Sequence, residues 1–228
     1  MEIINLDTWQ RTIHYKFFKR MDYPHYNICV NIDIANFLEK TNEKNIPFYY
    51  AMIYAATYAL NQVEEFRYRI RGDQVVLHTM IHPSFTDMSD GTNLFKMVTA
   101  DMEESILDFT RNAQEKSRNQ MDYFVIKDVE GRDDLAYITC IPWVSFTHLS
   151  HTISFNKDDS IPRLAWGKHY KEGSKVLLPF SVQAHHSFVD GIHMGKYIDY
   201  LQKYLNEYGD TDKLIHIDAP DRIGGSDG

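Results

Sequence analysis

The sharpest change of hydrophobic pattern along the chain lies within residues 176–205. Residues 176–182 form a continuous apolar run, which predicts a buried strand. From residue 192 onward the apolar positions recur at helical spacing, which predicts a helix reaching residue 205. Loops between rigid elements often carry catalytic groups, so this strand-to-helix junction is the candidate active site. The junction contains His185, His186, Asp190 and Gly191.

Helical periodicity also appears in the first half of the chain. Residues 48–63 follow Pro47 and are apolar nearly all round, which predicts a central, buried helix. Residues 102–118 place apolar side chains at helical spacing, with acids near the start and bases near the end, as a helix dipole favours. Asp33 is a candidate cap for a short helix through residue 40. Four aromatic side chains near the start are expected to be buried anchors: Trp9, Tyr15, Phe17 and Phe18.

Alternating or continuous apolar segments predict the strands. A hairpin is expected on either side of residues 71–73, where Gly72 supplies turn chemistry. Pro142 is expected to end a strand that starts near residue 135, and residues 172–174 form a turn. Further strands are predicted at 26–34, 82–88, 94–100, 149–156 and 161–170. Together these elements predict an α/β protein, a layered α+β sandwich with a mixed β-sheet covered by helices.

Composition narrows the class of protein. The chain has 228 residues, 43% of them hydrophobic, which suffices for a core in one domain, expected over residues 1–215. The polar, glycine-rich residues 216–228 are expected to be a disordered tail. A formal net charge of −8 argues against nucleic-acid binding, and no apolar stretch is long enough for a membrane span. Two cysteines, Cys29 and Cys140, indicate a reducing cytoplasm rather than a disulfide scaffold.

The residues at the junction allow more than one chemistry. A neutral imidazole at a strand end can act as a general base near pH 7. Adjacent strand residues point to opposite faces, so only one of His185 and His186 can face a given cleft. Asp190 could orient that imidazole or fix the loop. Two other interpretations are packed strand-end histidines beside a helix-capping aspartate, and a metal site formed by His185, His186, Asp190 and His193. The second is disfavoured because adjacent histidines diverge.

The segment QAHHSFVDGIHMGKYIDYLQ resembles the signature of type A chloramphenicol O-acetyltransferases, in which His-His-x-x-x-Asp-Gly precedes a helix. The segments TWQRTIHYKFF, NQVEEFRYRI, HPSFT, IPWVSF and KHYKEGSKVLLPFSVQ resemble further blocks of that family, in the family's order. The resemblance extends from Trp9 to Leu205. The acyltransferase domains of dihydrolipoamide dehydrogenase-complex components share the wider fold, with a related His-Arg-x-x-x-Asp-Gly motif.

This resemblance implies acetyl transfer from acetyl-CoA, a co-substrate, to a hydroxyl of chloramphenicol, in a ternary complex without a covalent acyl-enzyme. His186 matches the catalytic base. Thr139 stands where the family has a serine that donates to the tetrahedral oxyanion, and its hydroxyl can make the same bond. Asp190 and Arg11 match an ion pair that holds the loop. The family is trimeric with its active site between subunits, which implies a homotrimer.

The resemblance also implies two sets of binding residues. Positions that match the acceptor pocket are Phe17, Phe18, Thr86, Phe95 and Phe124, and positions that match the CoA channel are Tyr49, Trp143 and His169. Several residues depart from the family pattern: Pro47 replaces a lysine near a CoA phosphate, and the acceptor pocket has Ser84, Leu149, His151 and Ala165. These departures leave two alternatives open, namely a different hydroxylated acceptor and a non-catalytic trimer that binds a small ligand. A complete dehydrogenase-complex acyltransferase is less favoured, since the chain has no room for a lipoyl domain and linker.

Overall fold

The computed structural model describes residues 1–209, so the predicted tail at 216–228 lies outside the described residues. Within them are five α-helices: α1 Thr12–Phe18, α2 Ala35–Glu43, α3 Phe48–Asn61, α4 Ile106–Asn119 and α5 Gly191–Glu207. The strands are β1 Glu2–Ile3, β2 His25–Asp33, β3 Tyr68–Arg71, β4 Gln74–Leu77, β5 His82–Met88, β6 Phe95–Thr99, β7 Leu135–Ile141, β8 Arg163–Gly167, β9 Tyr170–Glu172 and β10 Lys175–His185. Short 3₁₀ turns lie at Glu64–Arg67 and Ile126–Asp128.

The main sheet has the strand order β2-β10-β8-β7-β5-β6, and β9 pairs with the first residues of β10. β7 runs parallel to β5 and β8, whereas the other pairs are antiparallel. A smaller sheet has the order β1-β4-β3. The predicted mixed sheet is therefore confirmed, as is the hairpin turn, where Gly72 has φ +58° in the left-handed region that favours glycine.

Register divides the main sheet into an apolar and a polar face. One row of directly paired residues crosses all six strands and is apolar throughout: Ile28, Val182, Leu164, Ile138, Phe85 and Val98. The adjacent row is polar throughout: Asn27, Gln183, Arg163, Tyr137, Ser84 and Thr99. Because successive side chains alternate between faces, the helices pack on the apolar face and leave the polar one to the segment 142–162.

Helix α3 lies at the centre of the helical layer. Ten consecutive residues, 51–60, are buried, which confirms the prediction of a central helix. Its neighbours are α5 and α4, and it also contacts β5. Burial on all sides stabilises the position of its first turn, and therefore the side chains that begin it.

Three predictions about local structure are wrong. Residues 149–156 form no strand; this segment is attached by side-chain bonds, such as that from Asn27 Nδ2 to the Leu149 carbonyl at 2.9 Å. Phe17 is 60% exposed, because on the two-turn helix α1 it lies two residues from buried Tyr15 and so on another face. Helix α4 begins at residue 106 rather than 102, where the Ser105 hydroxyl caps it by accepting from the Asp108 N–H at 3.1 Å.

Candidate active site

The loop after β10 is held by backbone bonds on both sides. The His186 N–H donates to the Pro24 carbonyl at 2.8 Å, directly beyond the last β10–β2 pair. The N–H groups of Phe188 and Val189 both donate to the His185 carbonyl at 3.1 Å. The loop therefore has a fixed path into α5.

Arg11 clamps this loop from the start of α1. Its guanidinium donates to both carboxylate oxygens of Asp190, at 2.6 and 2.7 Å. It also donates to the backbone carbonyls of Ser187 at 2.8 Å and His186 at 3.2 Å. These bonds hold the pKa of the Asp190 carboxyl below its ordinary value. The ion pair that the resemblance implied is thus formed within one chain, and Arg11 holds three residues of the motif together.

The His186 imidazole lies between two aromatic rings. Phe18 stacks on it with centroids 4.1 Å apart and an interplanar angle of 11°, and Tyr26 packs at 4.5 Å. The buried Nδ1 is 3.2 Å from Asp190 Oδ1. The side chain is 35% exposed, so the ring presents its Nε2 edge to solvent. The carboxylate is close to Nδ1 but does not form a hydrogen bond with it, so the two rings are what hold the imidazole. With Nε2 facing outward and no partner for it in residues 1–209, the arrangement suits a general base.

His185 has a different environment from His186. It is buried against His25, with ring centroids 5.0 Å apart, and its Nδ1 accepts from the Ser187 N–H at 3.1 Å. Burial and the neighbouring His25 lower its pKa to about 3. His185 is thus a neutral packing residue that points away from His186.

A cavity of about 650 Å³ opens at the carboxyl ends of β5, β7 and β8. The Tyr49 hydroxyl at its wall donates to the Thr86 carbonyl, which fixes the aromatic ring. Within residues 1–209 the Thr139 hydroxyl has no hydrogen-bond partner, so it is free to donate to a ligand. Six residues predicted to form the site line this cavity: Tyr49, Thr86, Phe95, Thr139, Trp143 and His169.

The predicted base and the predicted oxyanion donor lie at opposite ends of the sheet. Thr139 pairs with Ala165, which pairs with Ser181 of β10. His186 lies five residues beyond Ser181, toward the amino ends of β7 and β8. Two strand spacings and five residue rises place Thr139 and His186 roughly 19 Å apart. One chain therefore does not bring them together.

The remaining predicted residues divide between these two ends. Phe17 and Phe18 lie at the His186 end, with ring centroids 5.1 Å apart. Phe124 is 56% exposed and packs edge-on against Phe95 at 5.9 Å, outside the cavity lining. Sequence reasoning missed Tyr26. The pairing of β2 with β10 identifies it, because Tyr26 lies opposite Ala184, two residues before His186.

The four departures in the acceptor pocket lie on or next to the polar face, whereas Pro47 precedes the first turn of α3. Ser84 Oγ accepts from the Thr99 hydroxyl at 3.0 Å, and the Leu149 carbonyl accepts from Asn27. His151 has a buried Nε2 with no hydrogen-bond partner among residues 1–209, and burial lowers its pKa to about 4. Ala165 is fully buried between Thr139 and Ser181.

Two further properties of the described residues bear on the class of protein. No three His, Cys, Asp or Glu side chains within residues 1–209 are placed to hold a metal ion. No helix in that part of the chain is both long and apolar enough to cross a membrane.

Comparison with known proteins agrees with the fold and the motif. A family model described as chloramphenicol acetyltransferase matches residues 1–202. A chloramphenicol acetyltransferase from Klebsiella sp is 26% identical over 208 residues, covering 90% of this chain and 94% of the relative. Chloramphenicol acetyltransferase 2 from Escherichia coli is 29% identical over 203 residues, covering 87% and 94%.

Solved structures extend the comparison to the fold. A chloramphenicol acetyltransferase superposes with a TM-score of 0.81 at 22% identity, covering 90% of this chain and 99% of the other. A probable dihydrolipoamide acetyltransferase from Listeria monocytogenes gives a TM-score of 0.62 at 15% identity, covering 93% and 97%, which is a likeness of fold. The motif, its collinear blocks and the match over residues 1–202 lead to one conclusion: this chain belongs to the chloramphenicol acetyltransferase family of acyltransferases.

Proposed function

We propose that this protein is a cytoplasmic enzyme that transfers the acetyl group of acetyl-CoA to a hydroxyl of chloramphenicol, which inactivates the antibiotic. The observation that carries the proposal is the pair of complementary half-sites. One end of the sheet holds an oriented imidazole with a free Nε2, and the other holds a free hydroxyl in an aromatic cavity.

The chemistry follows from these two groups. His186 Nε2 takes the proton of the acceptor hydroxyl while that oxygen attacks the thioester carbonyl carbon. A C–O bond forms, and negative charge develops on the carbonyl oxygen, where the Thr139 hydroxyl donates a hydrogen bond. The C–S bond then breaks, and the leaving thiolate of CoA takes the proton from the imidazolium. Both substrates are bound together, so no acyl-enzyme forms.

Asp190 supports the base in two ways. Its carboxylate, 3.2 Å from His186 Nδ1, stabilises the imidazolium that forms during attack. The Arg11 clamp keeps that carboxylate charged and in place. We therefore assign Arg11 and Asp190 to positioning rather than to proton transfer.

The active site is completed in a homotrimer, where the His186 end of one copy meets the cavity of the next. The separation of roughly 19 Å within a chain supports this arrangement. Large apolar side chains are also exposed at both ends, with Phe17 60% and Trp143 68% exposed in the single chain. Such exposure is expected of surfaces that another copy covers.

The cavity would hold both substrates. Tyr49, Trp143 and His169 would border the pantetheine arm of acetyl-CoA, and Thr86 and Phe95 would border the acceptor, together with Phe124. Phe17 and Phe18, next to the base, would close the acceptor pocket from the neighbouring copy. Flat aromatic walls with few polar groups suit a nitrophenyl ring.

A different hydroxylated acceptor is the second candidate. The carboxylate-bearing Asp87 lines the cavity. His151 lies outside the cavity lining, near Arg163, and puts an imidazole where the family pattern has leucine. Both residues add polarity, which would favour an acceptor with more hydrogen-bonding groups than chloramphenicol.

The test is thiol release from acetyl-CoA with chloramphenicol, measured for the wild type, His186→Ala and His14→Ala. His14 is an exposed histidine of α1 with no hydrogen bond or ion pair in the described part of the chain. We expect turnover in the wild type and in His14→Ala, and a loss of about 10²–10⁴-fold in His186→Ala. Turnover only with other alcohols would establish the second candidate. CoA binding without turnover on any acceptor would indicate a non-catalytic relative.

A further inference from the structure

The first turn of α5 contains a histidine that the proposed chemistry does not use. His193 is the third residue of the helix, the position where a capping box usually has Glu or Gln. Its Nδ1 accepts the backbone N–H of Asp190 at 2.9 Å, and its own N–H donates to the Asp190 carbonyl at 3.0 Å. His193 therefore fixes the backbone of the residue whose carboxylate lies behind the base.

This contact sets the protonation state of His193. Since Nδ1 must offer a lone pair to an N–H, the proton of the neutral ring is on Nε2. That nitrogen lies 3.4 Å from Glu65 Oε1, which comes from the 3₁₀ turn Glu64–Arg67 between α3 and β3. The carboxylate of Glu65 favours this tautomer. A continuous set of contacts thus leads from Glu65 through His193 to Asp190, and from there to Arg11 and His186.

We infer that His193 and Glu65 are positioning residues for acetyl transfer, which fix Asp190 and, through it, the orientation of the His186 imidazole. The inference rests on the proposed function. Asp190 Oδ1 is 2.6 Å from the Arg11 guanidinium and 3.2 Å from His186 Nδ1, so a shift of its backbone disturbs both contacts. A misplacement of about 1 Å can lower a catalytic rate about 10²-fold.

Acid would disable this arrangement. The charged groups around His193 are Glu65, Asp190, Arg11 and Lys196. Burial lowers the pKa of His193, Arg11 and Lys196 lower it further, and Glu65 and Asp190 oppose them. Protonation would put a hydrogen on Nδ1, facing the Asp190 N–H, and remove the acceptor. The bond is thus complete above pH 6.5 and is lost as the pH falls through the folded pKa.

Three variants and one matched control test the inference in the full-length protein. His193→Ala removes the acceptor, His193→Gln replaces it with an amide oxygen suited to a capping box, and Glu65→Gln removes the charge behind it. The control, Ser105→Ala, removes the cap of α4, which lies far from the loop in sequence and in the fold. Amide hydrogen exchange of residues 186–194, steady-state kinetics and thermal midpoint are measured for each.

In His193→Ala we expect about a 10- to 100-fold fall in kcat with KM little changed, together with faster exchange in residues 186–194. His193→Gln should restore most of the kcat and most of the protection from exchange. Glu65→Gln should lower kcat less than His193→Ala and should lower the pH at which the His193 contact is lost, because the Glu65 carboxylate raises the pKa of His193. Ser105→Ala should lower the thermal midpoint but leave kcat and the exchange of this segment unchanged.

A lower thermal midpoint in His193→Ala with wild-type kcat and exchange would overturn the inference, because the contact would then be a helix cap alone. Failure of the proposed function gives a different result, since the wild type itself would then release no thiol. If the wild type releases no thiol, amide hydrogen exchange still tests the positioning role. Faster exchange in His193→Ala with recovery in His193→Gln supports that role, and unchanged exchange in His193→Ala overturns it.

Discussion

The two ends of the main sheet are built differently. At the His186 end, one arginine makes four hydrogen bonds, two aromatic rings hold the imidazole, and a helix cap fixes the adjacent carboxylate. At the Thr139 end, an open cavity has aromatic walls, and the Thr139 hydroxyl has no hydrogen-bond partner in the described residues. A base needs one orientation, whereas a site for two substrates needs space and exposed apolar surface. Under the proposed function, this difference would suit each end to a separate part of one reaction.

Complementation between two inactive variants would test this division most strongly. His186→Ala and Thr139→Ala are each expected to be nearly inactive. If each site takes its base and its hydroxyl from different copies, co-refolding the two in equal amounts should restore about a quarter of the wild-type activity, because one site in four then has both groups. Activity that stays at background in assembled mixtures would contradict a shared site. Mixing His186→Ala with itself is the control.

Substitution of Thr139 alone examines the cavity end. Thr139→Ala removes the proposed donor to the oxyanion and should lower kcat about 10²–10³-fold with little change in KM. Thr139→Ser keeps the hydroxyl and should retain most of the rate, whereas Thr139→Val keeps the shape and should resemble alanine. Equal rates for the valine and serine variants would rule out hydrogen bonding by this residue.

Arg69 lies on β3 of the smaller sheet, and we expect it to stabilise the fold rather than to take part in catalysis. Its guanidinium is 1% exposed and donates to the carbonyls of Phe66, Tyr68, Asp133 and Leu135 at 2.5–2.8 Å. These bonds attach β3 to the start of β7. Arg69→Met leaves the carbonyls unpaired and should lower the free energy of unfolding by about 3–5 kcal/mol. The exposed Arg71→Met should cost about 0–1 kcal/mol by urea unfolding. If Arg69→Met and Arg71→Met lowered the free energy of unfolding by similar amounts, the stabilising role assigned to Arg69 would be wrong.

Mild acid should lower the free energy of unfolding through two largely buried histidines, His185 and His151. Burial lowers the pKa of His185 to about 3 and of His151 to about 4, against 6.5 when unfolded. The unfolded chain then binds more protons below pH 6.5, so stability present above that pH falls as the pH drops toward those values. Each histidine contributes about 1.4 kcal/mol per pH unit. Urea unfolding from pH 7.5 to 5 should show this slope, and His151→Leu should reduce it relative to the exposed control His148→Leu.

The residues that the sequence allowed us to place are those whose neighbours are close in the chain. His186, Asp190 and α5 lie within one segment, and alternation sufficed for β5, which begins and ends where it was predicted. The tight turns at Gly72 and Gly173 followed from glycine chemistry. In each case the physical cause is local.

The structure was needed where a side chain depends on distant partners. Phe17 is as apolar as Tyr15, and only the packing of α1 decides that one is exposed and the other buried. Residues 149–156 alternate like a strand, but the polar face of the sheet offers them side-chain amides rather than a free edge. The distance between Thr139 and His186 depends on strand order, which no local pattern encodes.

The polar row across the sheet has a consequence for the chain while it is still folding. A sheet face lined by Asn27, Gln183, Arg163, Tyr137, Ser84 and Thr99 would not adhere to other apolar surfaces as a bare hydrophobic face would. While the segment 142–162 has not yet packed on this face, a folding chain would therefore expose polar rather than apolar side chains there, and exposed apolar surface is what drives aggregation of folding intermediates.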